Sequence, residues 1–64
     1  MRKFVEKMVK ERTELEEKIS KTKALIASST FNDLPQKEKK LLNEQVQAME
    51  TYSRILKERI DIYM

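Results

Sequence analysis

The chain has 64 residues, with 14 Lys or Arg against 11 Asp or Glu and a formal net charge of +3. It contains no Cys and no His, which excludes disulfides, thiol nucleophiles, imidazole bases and the usual zinc ligands. A domain this small is rarely stable without such crosslinks or a partner subunit. The composition therefore predicts a single non-enzymatic domain over residues 1–64, without catalytic residues, cofactor or metal ion, that gains stability by association.

A repeating row of apolar residues predicts a first helix over residues 3–28. The row follows alternating steps of four and three residues, which is the heptad pattern of a packed helix. Its members are Met1, Val5, Met8, Arg12, Leu15, Ile19, Thr22 and Ile26. Arg12 and Thr22 are its two polar interruptions.

A break in this pattern at residues 28–33 predicts a turn. Small and polar side chains in this segment compete with helical backbone hydrogen bonds. Pro35 is expected as the first residue of a second helix, because the first turn does not use its missing N–H. Alternatively, Asp33 and Gln36 form a capping pair for a start one residue earlier. The second helix is predicted over residues 34–62.

The second helix carries two apolar rows. The first row is Leu41, Ala48, Tyr52, Ile55 and Ile62, interrupted by Gln45 and Arg59; the second is Leu42, Val46, Met49, Leu56, Ile60 and Tyr63. One antiparallel partner helix covers about one such row. We expect the first row to face the first helix and the second row to contact another copy of the chain. The predicted fold is all-α, an antiparallel two-helix hairpin that assembles into a homo-oligomeric helical bundle.

When this hairpin closes, two residues face each other if their position numbers sum to about 67. This register is defined to within one helical turn. Thr22 then lies opposite Gln45, and Arg12 lies within about a turn of Arg59. The first pair has two interpretations. It is either a buried hydrogen-bonded pair that sets the register of the helices, or a polar notch that binds part of a ligand.

The arginines also have two interpretations. Their stems pack on the core while the guanidinium groups reach nearby glutamates. Alternatively, they bind a phosphate-bearing ligand, since guanidinium groups match phosphate oxygens and tyrosine rings stack on bases. The predicted ligand-binding residues are Arg12, Tyr52, Arg54 and Arg59, with Tyr63, Thr22 and Gln45 as further candidates.

A series of residues along almost the whole chain carries a family resemblance. These are Glu11, Arg12, Thr13, Glu14, Leu15, Lys18 and Ile19, then Ser29, Phe31 and Leu34, then Leu41, Leu42, Gln45, Ala48, Met49, Tyr52, Ile55, Leu56, Arg59 and Ile60. In this order the chain resembles a family of very small bacteriophage proteins that includes relatives in crAss-like phages. Its build is also similar to the hairpin of phage anti-CBASS and anti-Thoeris sponges, oligomeric proteins that sequester nucleotide-derived signals of bacterial immunity.

The resemblance implies a phage anti-defence protein in the cytoplasm of an infected bacterium. It would sequester a cyclic oligonucleotide or a cyclic ADP-ribose-type signal without catalysis. The alternative is a coiled-coil adaptor that binds and inhibits a host protein. A membrane partner is not expected, because no segment has the roughly 20 apolar residues of a membrane span. Nucleic acid is not expected either, since Glu38 interrupts the lysine run at residues 37–40 and Glu44 follows it closely.

Overall fold

The computed structural model describes residues 2–64, which form three helices: α1 (Arg2–Ile26), α2 (Ser29–Asn32) and α3 (Gln36–Tyr63). The long helices α1 and α3 pack together as an antiparallel pair in a body of 46 × 14 × 12 Å. This confirms the predicted helical hairpin. Met1, the first member of the predicted row, lies outside the described residues. No helix within residues 2–64 is long and apolar enough to cross a membrane.

The connection between the long helices differs from the prediction. The first helix ends at Ile26 rather than at position 28, and the four-residue helix α2 follows. Asp33 ends α2 instead of starting the next helix. Pro35 is the cap that precedes α3, with φ −58° and ψ 150°, and its carbonyl accepts the Lys39 N–H at 3.1 Å. A cap residue supplies a carbonyl and needs no N–H, so proline fits this position.

The hydrophobic core lies between α1 and α3 and is densest near the chain ends. Its buried apolar side chains are Val5, Met8, Ile19, Val46, Leu56 and Ile60. Leu56 is completely buried, and Leu15 packs against the cluster around it. Each such side chain contributes about 1.5–3 kcal/mol when it is removed from water. The core therefore holds the two long helices together at the open end of the hairpin.

The prediction that the first row of α3 faces α1 was wrong. Leu41, Ile55 and Ile62 of that row are 49%, 41% and 74% exposed. The second row faces α1, and Ser53, which is 3% exposed, continues it between Met49 and Leu56. With the serine included, the second row follows unbroken steps of three and four residues, as a packed helix face requires. Sequence analysis had left this small polar residue out of the row.

Candidate ligand-binding site

Arg12 and Arg59, which were predicted to lie within about a turn of each other, belong to opposite sides of the helix pair. Arg12 lines a groove of about 580 Å³ together with Lys57 and Asp61. Arg59 lies over the ring of Phe4, with its Cζ atom 5.9 Å from the ring centroid. The two arginines therefore do not form one cationic site within a single chain.

Arg12 connects the two long helices. Its Nε donates a hydrogen bond to the Ser53 carbonyl oxygen at 3.2 Å, and the Ser53 hydroxyl donates to Glu16 Oε2 at 2.5 Å. In the same groove, Lys57 Nζ lies 3.1 Å from Asp61 Oδ2. Carboxylates thus already pair with or surround the cations of this groove, which makes it a poor site for a phosphate.

The other side of the helix pair carries an aromatic–arginine cluster, formed by Phe4, Glu11, Tyr52, Arg59 and Tyr63. The Phe4 and Tyr63 rings meet edge to face, with centroids 5.3 Å apart and planes at 89°. Arg59 lies against the same phenylalanine. Such contacts favour both the ring pair and the guanidinium over a ring face. The open end of the hairpin therefore presents a guanidinium among aromatic rings.

Tyr52 is held to α1 by its hydroxyl group. The hydroxyl donates to Glu11 Oε2, and this hydrogen bond is the main cause that raises the pKa of Tyr52 above its ordinary value of 10.0. Partial burial and the negative charge of Glu11 raise it further, while the positive charge of Arg59 lowers it. Tyr52 is therefore protonated at neutral pH and is tied to α1, and Arg59 is close enough for its charge to act on the phenol.

Arg59 is the arginine of this cluster that remains available to a ligand. Among residues 3–64, no side-chain hydrogen bond or ion pair engages its guanidinium group. A guanidinium group carries five N–H donors in a planar fork that matches phosphate oxygens. Aromatic faces accept nucleobases by stacking. The cluster can therefore bind an anion and a flat ring at neighbouring positions.

The remaining predicted site residues do not join this cluster. Arg54 is exposed and pairs with Glu58 at 2.5 Å on its own helix. The Thr22 hydroxyl donates to the Lys18 carbonyl oxygen at 2.8 Å, because threonine in a helix reaches the carbonyl of the preceding turn. Gln45 is exposed, and no hydrogen bond joins it to Thr22 among the described residues.

Phe4 and Glu11 are members of the cluster that sequence analysis did not identify as site residues. A signal for them existed in the predicted register. Positions whose numbers sum to about 67 pair Phe4 with Tyr63 and place Glu11 within about a turn of Tyr52. If the register had been applied to charged and aromatic residues outside the main row, it would have identified Phe4 and Glu11 as neighbours of these tyrosines.

Comparison with known proteins gives a family for the chain. A sequence model of the Sequestin family matches residues 2–62, which is nearly the whole chain. The family name suggests a protein that sequesters a molecule rather than a catalyst, and it fits the small sponge-like protein expected from the sequence. No curated protein and no solved structure matches the chain.

Proposed function

The chain belongs to the Sequestin family, and we propose that it is a bacteriophage anti-defence protein that sequesters a nucleotide-derived immune signal. The signal is a cyclic oligonucleotide or a cyclic ADP-ribose-type molecule, and it is bound without chemical change. The protein acts as a homo-oligomer in the cytoplasm of the infected bacterium.

The observation that carries this proposal is the position of Arg59. Its guanidinium group lies over Phe4, whose ring contacts Tyr63, and is free of any carboxylate partner among residues 3–64. Its charge also acts on the phenol of Tyr52, on the same side of the helix pair. Nucleotide-derived signals combine phosphate groups with flat bases, and this cluster offers a complementary surface to both. The family name supports the same role, since it suggests sequestration.

Sequestration also suits the chemistry of the chain. Binding a signal needs affinity and copy number, and it needs no general base or nucleophile. Within the part of the chain that the structure describes, no group of acidic residues could hold a metal ion. We therefore assign Arg59, Tyr52 and Tyr63 as the main ligand contacts. Arg12 and Arg54 contribute less, because each already binds an acceptor within the chain.

Replacement of Arg59 by alanine tests the site, with Arg54→Ala as the matched control. We expect Arg59→Ala to weaken binding at least about tenfold, since a charge-assisted hydrogen bond contributes roughly 1.5–3 kcal/mol. Arg54→Ala should leave binding nearly unchanged. Isothermal titration calorimetry with a panel of cyclic dinucleotides, cyclic trinucleotides and cyclic ADP-ribose isomers measures both.

Two outcomes of this experiment would contradict the proposal. Equal losses in the two variants would show that the cluster is not the binding site. Recovery of a chemically altered ligand after heat release from the protein, detected by chromatography, would show catalysis instead of sequestration.

The exposed first row of α3 favours a second candidate function, a coiled-coil adaptor that inhibits a host protein. Leu41, Ile55 and Ile62 leave apolar surface open in the single chain. An adaptor should capture one host protein from a bacterial lysate at a fixed stoichiometry and bind none of the signals in the panel. Nucleotide-like absorbance that copurifies with the protein would favour the sponge.

A further inference from the structure

A groove at the closed end of the hairpin is lined by positively charged side chains. It has a volume of about 690 Å³ and lies where α2 meets the first two turns of α3. This lysine groove contains three ammonium groups, two carboxamides and one phenyl ring, and no carboxylate is among its lining groups. The lining residues are Phe31, Gln36, Lys37, Lys39, Lys40 and Asn43.

The charge of the lysine groove differs from that of three other grooves on the helix pair. The groove of Arg12 is lined by three carboxylates and two cations, and the groove beside Tyr52 by two carboxylates and one cation. A groove beside Met64 has one of each. Positive charge without a neighbouring negative charge attracts anions. The lysine groove is therefore the one of these four that favours an anionic ligand.

The lysines of the groove have no carboxylate partner within residues 3–64. The ion pairs in this part of the chain engage Lys23, Arg54 and Lys57, and they engage no lysine of the groove. A ligand would not have to displace a carboxylate from any of the three ammonium groups. The start of α3 adds its partial positive charge to theirs.

The two glutamates nearest to these lysines in the sequence do not line the groove. Glu38 is one or two residues from each of the three lysines, and residues at that spacing do not face each other on a helix. Glu44 lies one turn beyond Lys40, is exposed and forms no ion pair with it. Charges that alternate in the sequence are therefore separated on the surface of α3.

The short helix α2 brings an aromatic ring to the lysines. The Phe31 N–H donates to the Ser28 carbonyl oxygen at 3.2 Å, and the Leu34 N–H donates to the Phe31 carbonyl oxygen at 3.1 Å. These bonds hold the backbone of Phe31 just before α3 begins. Its side chain is half-buried, and Lys39 Nζ lies 5.7 Å from the centroid of the ring. The ring is therefore anchored in the groove beside a cation.

The size of the groove corresponds to one nucleotide. From Gln36 to Asn43 the helix axis advances roughly 10 Å, and sites for small molecules typically have volumes of about 300–1,000 Å³. Proteins that hold a single strand of nucleic acid use longer cationic tracks that cover several nucleotides. Glu44 follows directly after this segment, so the positive track does not continue.

We propose that the lysine groove binds a linear nucleoside polyphosphate. The phosphates contact Lys37 and Lys40, and the base packs against Phe31. Three mobile ammonium groups act as point charges and suit a chain of adjacent phosphates, whereas the aromatic ring suits a flat base. The Asn43 side chain donates to the Lys39 carbonyl oxygen at 3.0 Å, which leaves its own oxygen as an acceptor for a base or ribose group.

This site is separate from the aromatic–arginine cluster, and it goes beyond the proposed function. Lys39 and Lys57 are 18 residues apart, which is about five helical turns and places them on the same face of α3. Lys57 lines the groove of Arg12. The lysine groove therefore lies on the Arg12 side at the closed end, while Arg59 lies on the other side at the open end. The two sites should bind their ligands independently.

Replacement of two lysines tests the cationic part of the site, with ATP as the probe. We expect Lys37→Gln with Lys40→Gln to weaken ATP binding about tenfold in calorimetric titrations at low salt. Lys7→Gln with Lys10→Gln is the matched control, because it removes two exposed lysines at the same spacing from the far end of α1. The control should change ATP binding much less. Equal losses in the two double variants would overturn the site.

Replacement of the ring tests the position of the base. Phe31→Leu keeps an apolar side chain but removes the aromatic face, so ATP binding should fall about threefold or more. Binding of inorganic tripolyphosphate should stay the same, because it has no base. Circular dichroism checks that the variant keeps its helix content. Unchanged ATP binding, or equal losses for both probes, would overturn the proposed pose.

A competition experiment tests the size of the ligand. A single-stranded RNA of twelve nucleotides should displace ATP no better than one nucleotide does. Tighter binding of the RNA, with the same loss in the lysine double variant, would make the groove a nucleic-acid site and overturn the nucleotide as its ligand.

Exchange of the variants between the two sites separates this inference from the proposed function. Arg59→Ala should keep ATP binding, and the variant without Lys37 and Lys40 should keep binding of a cyclic dinucleotide. Loss of ATP binding in Arg59→Ala would overturn the second site. A chain that binds cyclic signals but no ATP would leave the proposed function standing and remove the lysine groove as a site. A chain that binds ATP but no member of the signal panel would do the reverse.

Discussion

The two sides of the helix pair use arginine in opposite ways. On one side, Arg12 is half-buried and its Nε binds the Ser53 carbonyl oxygen, with Glu16 close by. On the other side, Arg59 is exposed, lies over Phe4 and has no carboxylate partner within residues 3–64. One arginine stabilises the hairpin, whereas the other leaves its donors available.

This difference separates a residue that connects helices from one that can bind a ligand. Both interrupt an apolar row in the sequence, and both carry the same charge. What distinguishes them is their surroundings, because Glu16, Glu17 and Asp61 line the groove of Arg12 and would repel a phosphate there. The comparison can be tested by substitutions on each side, beginning with the core that separates them.

The largest expected effect is the loss of stability when Leu56, which is in the core, is shortened. Its exposed neighbour Ile55 is the matched comparison. Leu56→Ala should lower the free energy of unfolding by about 2–5 kcal/mol, because it leaves a cavity at a completely buried position. Ile55→Ala removes a similar side chain from a position that is 41% exposed, and should change the stability of the isolated hairpin much less. Its main effect should be weaker self-association.

Urea unfolding at a fixed protein concentration, followed by circular dichroism, measures the first effect, and sedimentation measures the second. The concentration must be constant because association itself stabilises the folded state. Equal losses of stability in the two variants at a concentration where the chain is monomeric would contradict the assignment of the second row to the core.

A smaller effect should distinguish the two arginines by stability. Arg12→Ala removes a donor from the partly buried Ser53 carbonyl and should destabilise the chain by about 1–3 kcal/mol. Arg59→Ala removes only an exposed contact with Phe4, which corresponds to about 0.5–1 kcal/mol. Thermal unfolding of both variants measures the difference. A larger loss from Arg59→Ala would show that this arginine is also mainly structural.

The smallest expected effect is in the titration of Tyr52. Its hydrogen bond to Glu11 raises the folded-state pKa above 10.0, so the bond stabilises the folded chain below pH 10.0 and this contribution is lost as pH rises through the raised pKa. In a Tyr63→Phe background, where Tyr52 is the one remaining tyrosine, ultraviolet absorbance reports its ionisation. Adding Glu11→Gln should lower the midpoint. An unchanged midpoint would contradict the hydrogen bond.

The helices were predictable because their signals are local. Alternating steps of three and four residues defined α1 to within two residues of its observed end, and the cluster of small residues after it marked the turn. The two short-range errors have local causes too. Residues 29–32 form one helical turn, although their small and polar side chains are typical of a loop. Pro35 caps α3 because a cap residue needs only its carbonyl group.

The site was only partly predictable. Tyr52 and Tyr63 were predicted to lie near Arg59, and the structure brings Tyr63 and Arg59 together around Phe4 at the open end of the hairpin. Their role in binding a ligand stays a prediction. Arg12 was placed at the right height, but its side of the helix pair depends on how far each helix is rotated about its own axis. That rotation also decides which row of α3 is buried.

By itself, the sequence determined that this protein has two long helices, an antiparallel register and more apolar surface than one hairpin can cover. Periodicity and turn position are properties of the chain, so they can be read without knowing what packs where. Only the tertiary structure decided which row is covered, because the small side chain of Ser53 completes one row and allows Leu56 to be fully buried. That choice turned Leu41, Ile55 and Arg59 outward, and with them the surface on which the proposed assembly and function depend.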